Sequence, residues 1–267
     1  MRFENFETLR DELYSALKIG DLRCVEIESK KRVLPRQVKK LRKFMAKSKR
    51  TRHIKTTYFF DQFLDTTRMD IFRRGASLRL RFKKGGSKVY LQYKGPGFLE
   101  DTLLFRSEFS TRDLKGMALE ESHHDIIHFT KTSIAQILRK YAHKRMVRAM
   151  KAHLGESILS RISSAKIISL YQKDKYSVDL GKDAFLEPSV DKVSAFYINK
   201  RGPYPLSTFY EYENEIKAEG HSLASKLRHL PALLKFDRKV VRRFRLKPEK
   251  LDKYHRCASI FFSHRGR

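Results

Sequence analysis

Glu26-Ile27-Glu28-Ser29-Lys30, near the start of the chain, and Glu213-Asn214-Glu215-Ile216-Lys217, near its end, both spell Glu-x-Glu-x-Lys. On a β-strand, residues two apart point to the same face. Each stretch therefore sets two carboxylates and an ammonium in one row. Carboxylates gathered in this way repel one another unless a hard cation lies between them, and Mg²⁺ or Mn²⁺ is the natural guest. One copy alone reads as the charged outer face of an ordinary strand. The second copy, together with the basic strands between the two, makes a built site the better reading.

Those basic strands alternate in the same way. Arg79, Arg81 and Lys83 share one face, with Leu78, Leu80 and Phe82 on the other. Tyr90, Gln92 and Lys94 lie opposite Val89, Leu91 and Tyr93, and Arg106 and Glu108 lie opposite Phe105 and Phe109. Gly85-Gly86 and Gly95-Pro96-Gly97 read as turns between period-2 segments. Amphipathic helices elsewhere in the chain need an apolar surface to cover. A sheet closed into a barrel, apolar face outward beneath helices, would satisfy them and turn the charged face into a lumen. The expectation is a lumen basic in one part and acidic in another. Two like charges about 4 Å apart repel by roughly 4 kcal/mol at an effective dielectric near 20. A polyanion with a divalent cation would relieve both clusters, and phosphate suits guanidinium groups, which bind it bidentately.

Phe63-Leu64-Asp65-Thr66-Thr67-Arg68-Met69-Asp70-Ile71-Phe72-Arg73-Arg74-Gly75-Ala76-Ser77-Leu78-Arg79-Leu80-Arg81 resembles the Tyr-Phe-Asp-Thr-Pro to Arg-Gly-Ala-Ser-Leu-Arg-Leu-Arg stretch of the CYTH domains, the triphosphate tunnel metalloenzymes. Phe63 stands where that family usually has Tyr, and Thr67 where it has Pro. The leading Glu-x-Glu-x-Lys is the family's signature, and Lys94-Gly95-Pro96 matches its fourth strand. The C-terminal half is similar to one branch, the polyphosphate-polymerase domain of the vacuolar transporter chaperone (VTC). Its Tyr-x-Arg-x-aromatic strand corresponds to Tyr171-Gln172-Lys173-Asp174-Lys175-Tyr176, with Lys173 in place of Arg. Ser189-Val190-Asp191, Glu215-Ile216-Lys217, Leu230-Pro231 and Lys253-Tyr254 follow in that branch's order. The resemblance spans roughly residues 22–258.

The resemblance implies an α+β fold: an eight-stranded antiparallel β-barrel with helices packed outside, binding a triphosphate end-on. It implies Glu26, Glu28, Glu213 and Glu215 as metal ligands for Mg²⁺ or Mn²⁺. Lys30, Arg79, Arg81, Lys94, Arg106, Lys173, Lys217 and Lys253 would bind the substrate's phosphates. Glu26, Glu28, Lys30 and Glu215 would form the catalytic group. Catalysis would be positioning and charge stabilisation, with little covalent chemistry from side chains. Water as acceptor gives a triphosphatase, and a phosphate-chain end gives a polymerase. The VTC-like ending favours polyphosphate polymerase-like activity, with ATP or tripolyphosphate as the small substrates. A CYTH-type triphosphatase and a non-catalytic polyphosphate-binding module are the alternatives. Adenylate cyclase activity fits the C-terminal half less well.

A chain of 267 residues with 40% hydrophobic content can bury one large core. It reads as one domain over residues 1–267, with 1–20 a flanking N-terminal helix. The net charge of +29 asks for an anionic partner: polyphosphate, nucleic acid or an acidic membrane surface. No RRM-type motif interleaves aromatic and basic residues, so nucleic acid ranks last. Two dense basic runs, Lys39 to Lys55 and Lys235 to Lys250, read alone as solvated helix faces. Beside a phosphate chain they would extend an electrostatic funnel at a tunnel mouth. Cys24 and Cys257 suggest no disulfide framework. Cys24 has the parity of Glu26, which could place it in the lumen, although a packed structural thiol is the plainer reading. No stretch reads as a signal peptide or approaches ~18 consecutive apolar residues, so a reducing cytoplasm is the expected setting.

Helices are expected over residues 4–18, from Pro35 to Ala46, and in one long run from Ser133 to Arg161. Strands are expected near 22–30, 54–63, 77–84, 88–94, 103–110, 165–178, 188–194 and 208–217. His124 and His128 have a zinc-compatible spacing beside His123, Glu121 and Asp125, but a third ligand and a catalytic Glu motif are missing. No glycine-rich phosphate loop stands out, so phosphate recognition must come from side chains.

Overall fold

The computed structural model describes residues 6–84, 88–100, 102–114, 121–122, 126–127, 131–181 and 183–265. Eight strands form the barrel: β1 (Val25–Val33), β2 (Arg52–Asp65), β3 (Ser77–Lys83), β4 (Val89–Glu100), β5 (Leu103–Ser110), β6 (Ser163–Asp179), β7 (Ala184–Asn199) and β8 (Gly202–Ala218). Around the ring the order is β1, β8, β7, β6, β2, β3, β4, β5, and the pairing of β5 with β1 completes the circle. The pairs are antiparallel. Closure gives each of these strands two neighbours and leaves no free edge among them.

The alternation expected from the sequence sorts the residues as required. Leu78, Leu80, Leu91, Tyr93 and Phe105 face outward into a core beneath helices α1 (Phe6–Leu17), α4 (Lys131–Tyr141) and α5 (Lys144–Leu154), which contribute Leu13, Leu17, Ile134, Ile137, Met146 and Met150. On the opposite wall, α2 (Pro35–Lys47) buries Val38, Leu41 and Met45 against Tyr176, Val190 and Tyr212. Burial on this scale, at roughly 25 cal/mol per Å² of apolar surface, holds the helices to the wall. Among the described residues no helix is long and apolar enough to cross a membrane.

Three local expectations are corrected. The run from Ser133 to Arg161 is not one helix: it is α4, α5 and α6 (Glu156–Leu159). His143 is extended at the first break and Gly155 has φ 79° at the second, a conformation glycine adopts without a Cβ clash. Gly95-Pro96-Gly97 is not a turn. β4 runs through it with a bulge, resuming with Gly97 opposite Arg106. A Cβ at Gly97 would lie 2.6 Å from the Phe105 carbonyl oxygen, so the close strand approach requires glycine. The first strand begins later than expected, because Leu22–Cys24 forms a 3₁₀ turn capped by Asp21. Gly85-Gly86 and the cluster at His123, His124, Asp125 and His128 lie outside the described residues.

After the short helices α3 (Asp70–Arg73) and α7 (Leu223–Arg228), α8 (Leu230–Phe244) covers β8. The last helix, α9 (Lys253–Arg265), does something else. Its Tyr254, Cys257, Ala258 and Phe261 pack against Phe63, Ile167, Val193 and Phe209. Phe63, Val193 and Phe209 share strand parity with Asp61, Asp191 and Glu211, so they face inward. One end of the barrel is therefore apolar and filled by α9, while the other end carries the charge.

Candidate active site: a charged tunnel

The lumen is built by strand register. Glu26 lies opposite Arg106, Lys30 opposite Glu213, Asp61 opposite Arg81, Lys94 opposite Glu108, and Lys173 opposite Asp191. Each of these pairings joins an acid to a base, and directly opposed charges of unlike sign stabilise a sheet. The expectation of a basic part and a separate acidic part is thus corrected: the signs interleave around the ring.

The contacts are close. Arg81 binds Asp61 with two bonds of 2.9 and 2.8 Å, and Arg79 reaches the same carboxylate at 3.1 Å. The Arg81 guanidinium lies 4.7 Å from the Phe59 ring centre. Arg106 binds Glu26 at 2.9 Å, Glu28 at 2.7 Å and Asp252 at 3.1 Å. Lys94 donates to both Glu26 oxygens, at 2.9 and 2.7 Å. Lys30 sits 3.1 Å from Glu213 and 3.5 Å from Glu28. Lys253, carried in on α9, bridges Glu213 at 2.7 Å, Asp191 at 2.9 Å and Glu211 at 2.5 Å. Lys173 donates to Glu213 at 2.8 Å, and Lys217 pairs with Glu215.

These placements set the protonation states. Burial alone would raise Glu26, but Lys94 and Arg106 hold it well below the usual carboxylate range. Glu213 is likewise buried, and Lys173, Lys253 and Lys30 hold it low. Glu215 differs. Burial, reinforced by the neighbouring Glu26 and Glu108 carboxylates and opposed by Lys217, pushes it up to about 7. Burial also raises Glu211.

All twelve side chains expected at the site line one cavity. The four expected metal ligands, however, do not form one group. Glu26 and Glu215 join Glu108, with one oxygen from each lying within 4.8 Å of the others. Glu213 joins Asp191 and Glu211 in a second such group, the one that Lys253 bridges. Glu28 lies between Arg106 and Lys30. The sequence reading did not single out Glu108 as a candidate ligand, and it missed Asp61, Glu211, Lys175 and Asp252. Glu108, Glu211 and Lys175 share strand parity with residues already singled out, so the period-2 rule could have found them. Asp252 precedes α9, and no local pattern marks it. Cys24 lies just before β1: it packs against the outer core, it also lines the wider mouth of the tunnel, and burial raises its pKa.

Toward the open end the cavity widens past Glu26, Glu108, Glu215 and Lys217 to Arg23, Arg145 and Lys226. Arg23 and Arg145 both pair with Asp21. Among the described residues nine cationic and seven acidic side chains line the tunnel itself, so it is close to neutral. The chain's excess positive charge lies elsewhere.

The chain belongs to the CYTH domain family, whose model matches residues 25–244. Among solved structures, a putative adenylyl cyclase from Hippeastrum, described as having a dominant triphosphatase activity, is similar with a TM-score of 0.56 at 16% identity. The match covers 88% of this chain and 95% of that one. A putative adenylate cyclase from Bacillus halodurans is similar at TM-score 0.47 and 14% identity, over 86% and 96% of the two chains. The Mimivirus capping enzyme triphosphatase is similar at TM-score 0.44 and 11% identity, over 90% and 98%. Identities this low speak for the fold alone. No curated protein matches the chain.

Proposed function

We propose that this protein is a divalent-cation-dependent phosphoryl-transfer enzyme that draws the triphosphate end of its substrate into the tunnel. The observation that carries this reading is the Glu26, Glu108 and Glu215 group, set beside Lys94, Arg106 and Lys217. Three carboxylate oxygens this close form a donor set that suits a hard cation, and the upward shift of Glu215 is the strain such an ion would relieve. Mg²⁺ or Mn²⁺ held there would supply charge neutralisation across the phosphate oxygens.

The chain's own groups do the rest. Arg79 and Arg81 present guanidinium groups that exchange Asp61 for phosphate oxygens, bidentately. Lys30, Lys94, Arg106, Lys173 and Lys217 neutralise the remaining oxygens, and the closed wall excludes bulk water so that each contact counts for more. Lys253, held by Asp191, Glu211 and Glu213, would neutralise the innermost phosphate. Because α9 fills the far end, substrate and product share one mouth. That geometry favours hydrolysis of a terminal phosphate over threading a growing chain through the barrel. Polyphosphate polymerase remains the second reading, supported by the Lys253-Tyr254 segment standing inside the cavity, with a phosphate-chain end replacing water as acceptor.

The test is phosphate release from tripolyphosphate and from ATP with Mg²⁺ or Mn²⁺, for the native protein and for Glu215→Gln and Arg81→Gln. Metal-dependent release abolished by both substitutions is the expected result. Tripolyphosphate that stabilises the fold without any turnover would instead identify a binding module. Lengthening chains after incubation with ATP would select the polymerase.

A further inference from the structure

The tunnel does not account for the charge of +29. Helix α2 carries six basic residues and no acidic one, and α8 carries five basic residues with a single acid, Asp237. Asp237 is buried beneath α8, accepting hydrogen bonds from Tyr212 and Asn214. It does nothing to offset the outer surface.

The two helices lie side by side on the barrel wall, and a groove runs between them. Lys40, Lys43, Lys47, Lys49, Lys239 and Arg243 line it, all exposed. Among the described residues no carboxylate lines this groove and no ion pair engages these six cations. Holding so many like charges along one cleft costs free energy unless an anion occupies it. The half-buried rings on its floor, Phe44 and Phe244, meet edge to face at 5.5 Å. The Arg243 guanidinium lies 5.1 Å over Phe44 and the Lys239 ammonium 5.6 Å over it. The Phe44 face is therefore used to hold cations and gives a nucleic-acid base no open platform to stack on.

The groove also connects to the tunnel. Lys49 and Arg50 line both it and a neighbouring patch containing Arg52 and Ser177. Arg52 pairs with Ser177 at the open end of the barrel, and Lys55 pairs with Lys175, which lines the tunnel. Basic side chains thus lead from the mouth over the rim to the groove, with Asp179 beside them on the rim and Glu187 paired to Lys175 at the mouth.

We propose that the groove between α2 and α8 is a second binding site, for an extended inorganic phosphate chain whose terminal phosphates occupy the tunnel. The part of the proposal that concerns the chain's end rests on the functional reading above; the groove's own affinity does not. A concave cleft lined by lysines matches a linear chain with a charge on every unit. A flat lipid surface would reach only its rims.

The experiment compares long-chain polyphosphate with tripolyphosphate on the full chain, native and as Lys40→Gln/Lys43→Gln/Lys47→Gln/Lys239→Gln. These positions are exposed, and an unchanged Tm confirms folding. Long-chain affinity should fall at least about tenfold, and the slope of log K against log salt should lessen by about 3, for four lost phosphate contacts. Stabilisation by tripolyphosphate should be unchanged. Long-chain binding that survives the four substitutions overturns the proposal. So does a native protein that binds single-stranded RNA of equal charge, or phosphatidylserine vesicles, more tightly than polyphosphate. Failure of the tunnel reading looks different: tripolyphosphate would neither bind nor turn over, while long chains still bound in a groove-dependent way.

Discussion

Glu28 on β1 lies directly opposite Glu215 on β8, where the first and last strands of the barrel pair. Two acids far apart in the chain thus become neighbours, and their side chains find different company. Glu28 pairs with Arg106, whereas Glu215 meets Lys217, Glu26 and Glu108. Removing the charge at Glu215 should therefore relieve repulsion. We expect Glu215→Gln to raise Tm in chelator at pH 8, where the native carboxylate is ionised against its neighbours. The same variant should gain no stability from Mn²⁺. A lower Tm in chelator would contradict the crowding argument.

Asp61 is fully buried and accepts from both Arg79 and Arg81. Asp61→Asn keeps the shape but leaves two guanidinium groups without their counter-ion. A loss of about 3–5 kcal/mol is expected, as for other broken buried pairs. Tripolyphosphate should restore more stability to this variant than to the native protein, because it supplies the missing anion. Thermal denaturation with and without tripolyphosphate measures both effects, and equal ligand-induced shifts would count against phosphate sitting on these arginines.

Asp252 and His255 form a pair of 2.8 Å at the start of α9, with the imidazole stacked on Phe72 at 4.9 Å. Burial alone would lower His255, but Asp252 raises it. Burial would raise Asp252, but His255 and Arg106 hold it well below its ordinary value. A raised histidine stabilises fully below its unfolded pKa of about 6.5, and that contribution is lost as pH climbs through the folded value. A lowered aspartate stabilises above its unfolded pKa of about 3.9 and loses that contribution as pH falls through the folded value. The pair should contribute most between roughly pH 4 and 6.5. His255→Gln should flatten the decline of Tm above pH 6.5, and an unaltered profile would show that the pair does not hold α9 in place.

Phe63 is fully buried inside the barrel, with its ring 4.6 Å from that of Tyr254 on α9. Phe63→Ala should cost about 3–5 kcal/mol, from lost transfer energy and the cavity left behind. Chemical denaturation would read this directly. A cost below about 1 kcal/mol would mean that α9 does not fill this end of the barrel in solution.

Much of the site was legible because a strand's period of two is local. Arg79 and Arg81, or Glu26 and Glu28, declare a shared face without reference to any other strand. The outward apolar set, Leu78, Leu80, Leu91 and Phe105, was legible for the same reason. Pairing was not. That Glu26 shares Arg106 with Glu28 and also lies beside Glu108 depends on the offset between strands, and a shift of one residue would have turned the shifted strand's charges outward. The position of α9 was also hidden. Its Lys253 and Tyr254 could be matched to a family pattern, but nothing within the segment says that it enters a barrel.

The sequence alone thus determined the composition of each face, the closed β architecture through its family likeness, and twelve of the charged residues that line the tunnel. Tertiary structure decided which acid meets which base, because register is a relation between distant strands and is encoded in none of them singly. It also decided that Glu108, and neither Glu28 nor Glu213, joins Glu26 and Glu215. And it separated a nearly neutral tunnel from a strongly basic outer groove, since a count of charges along a chain carries no information about which side of a wall they occupy.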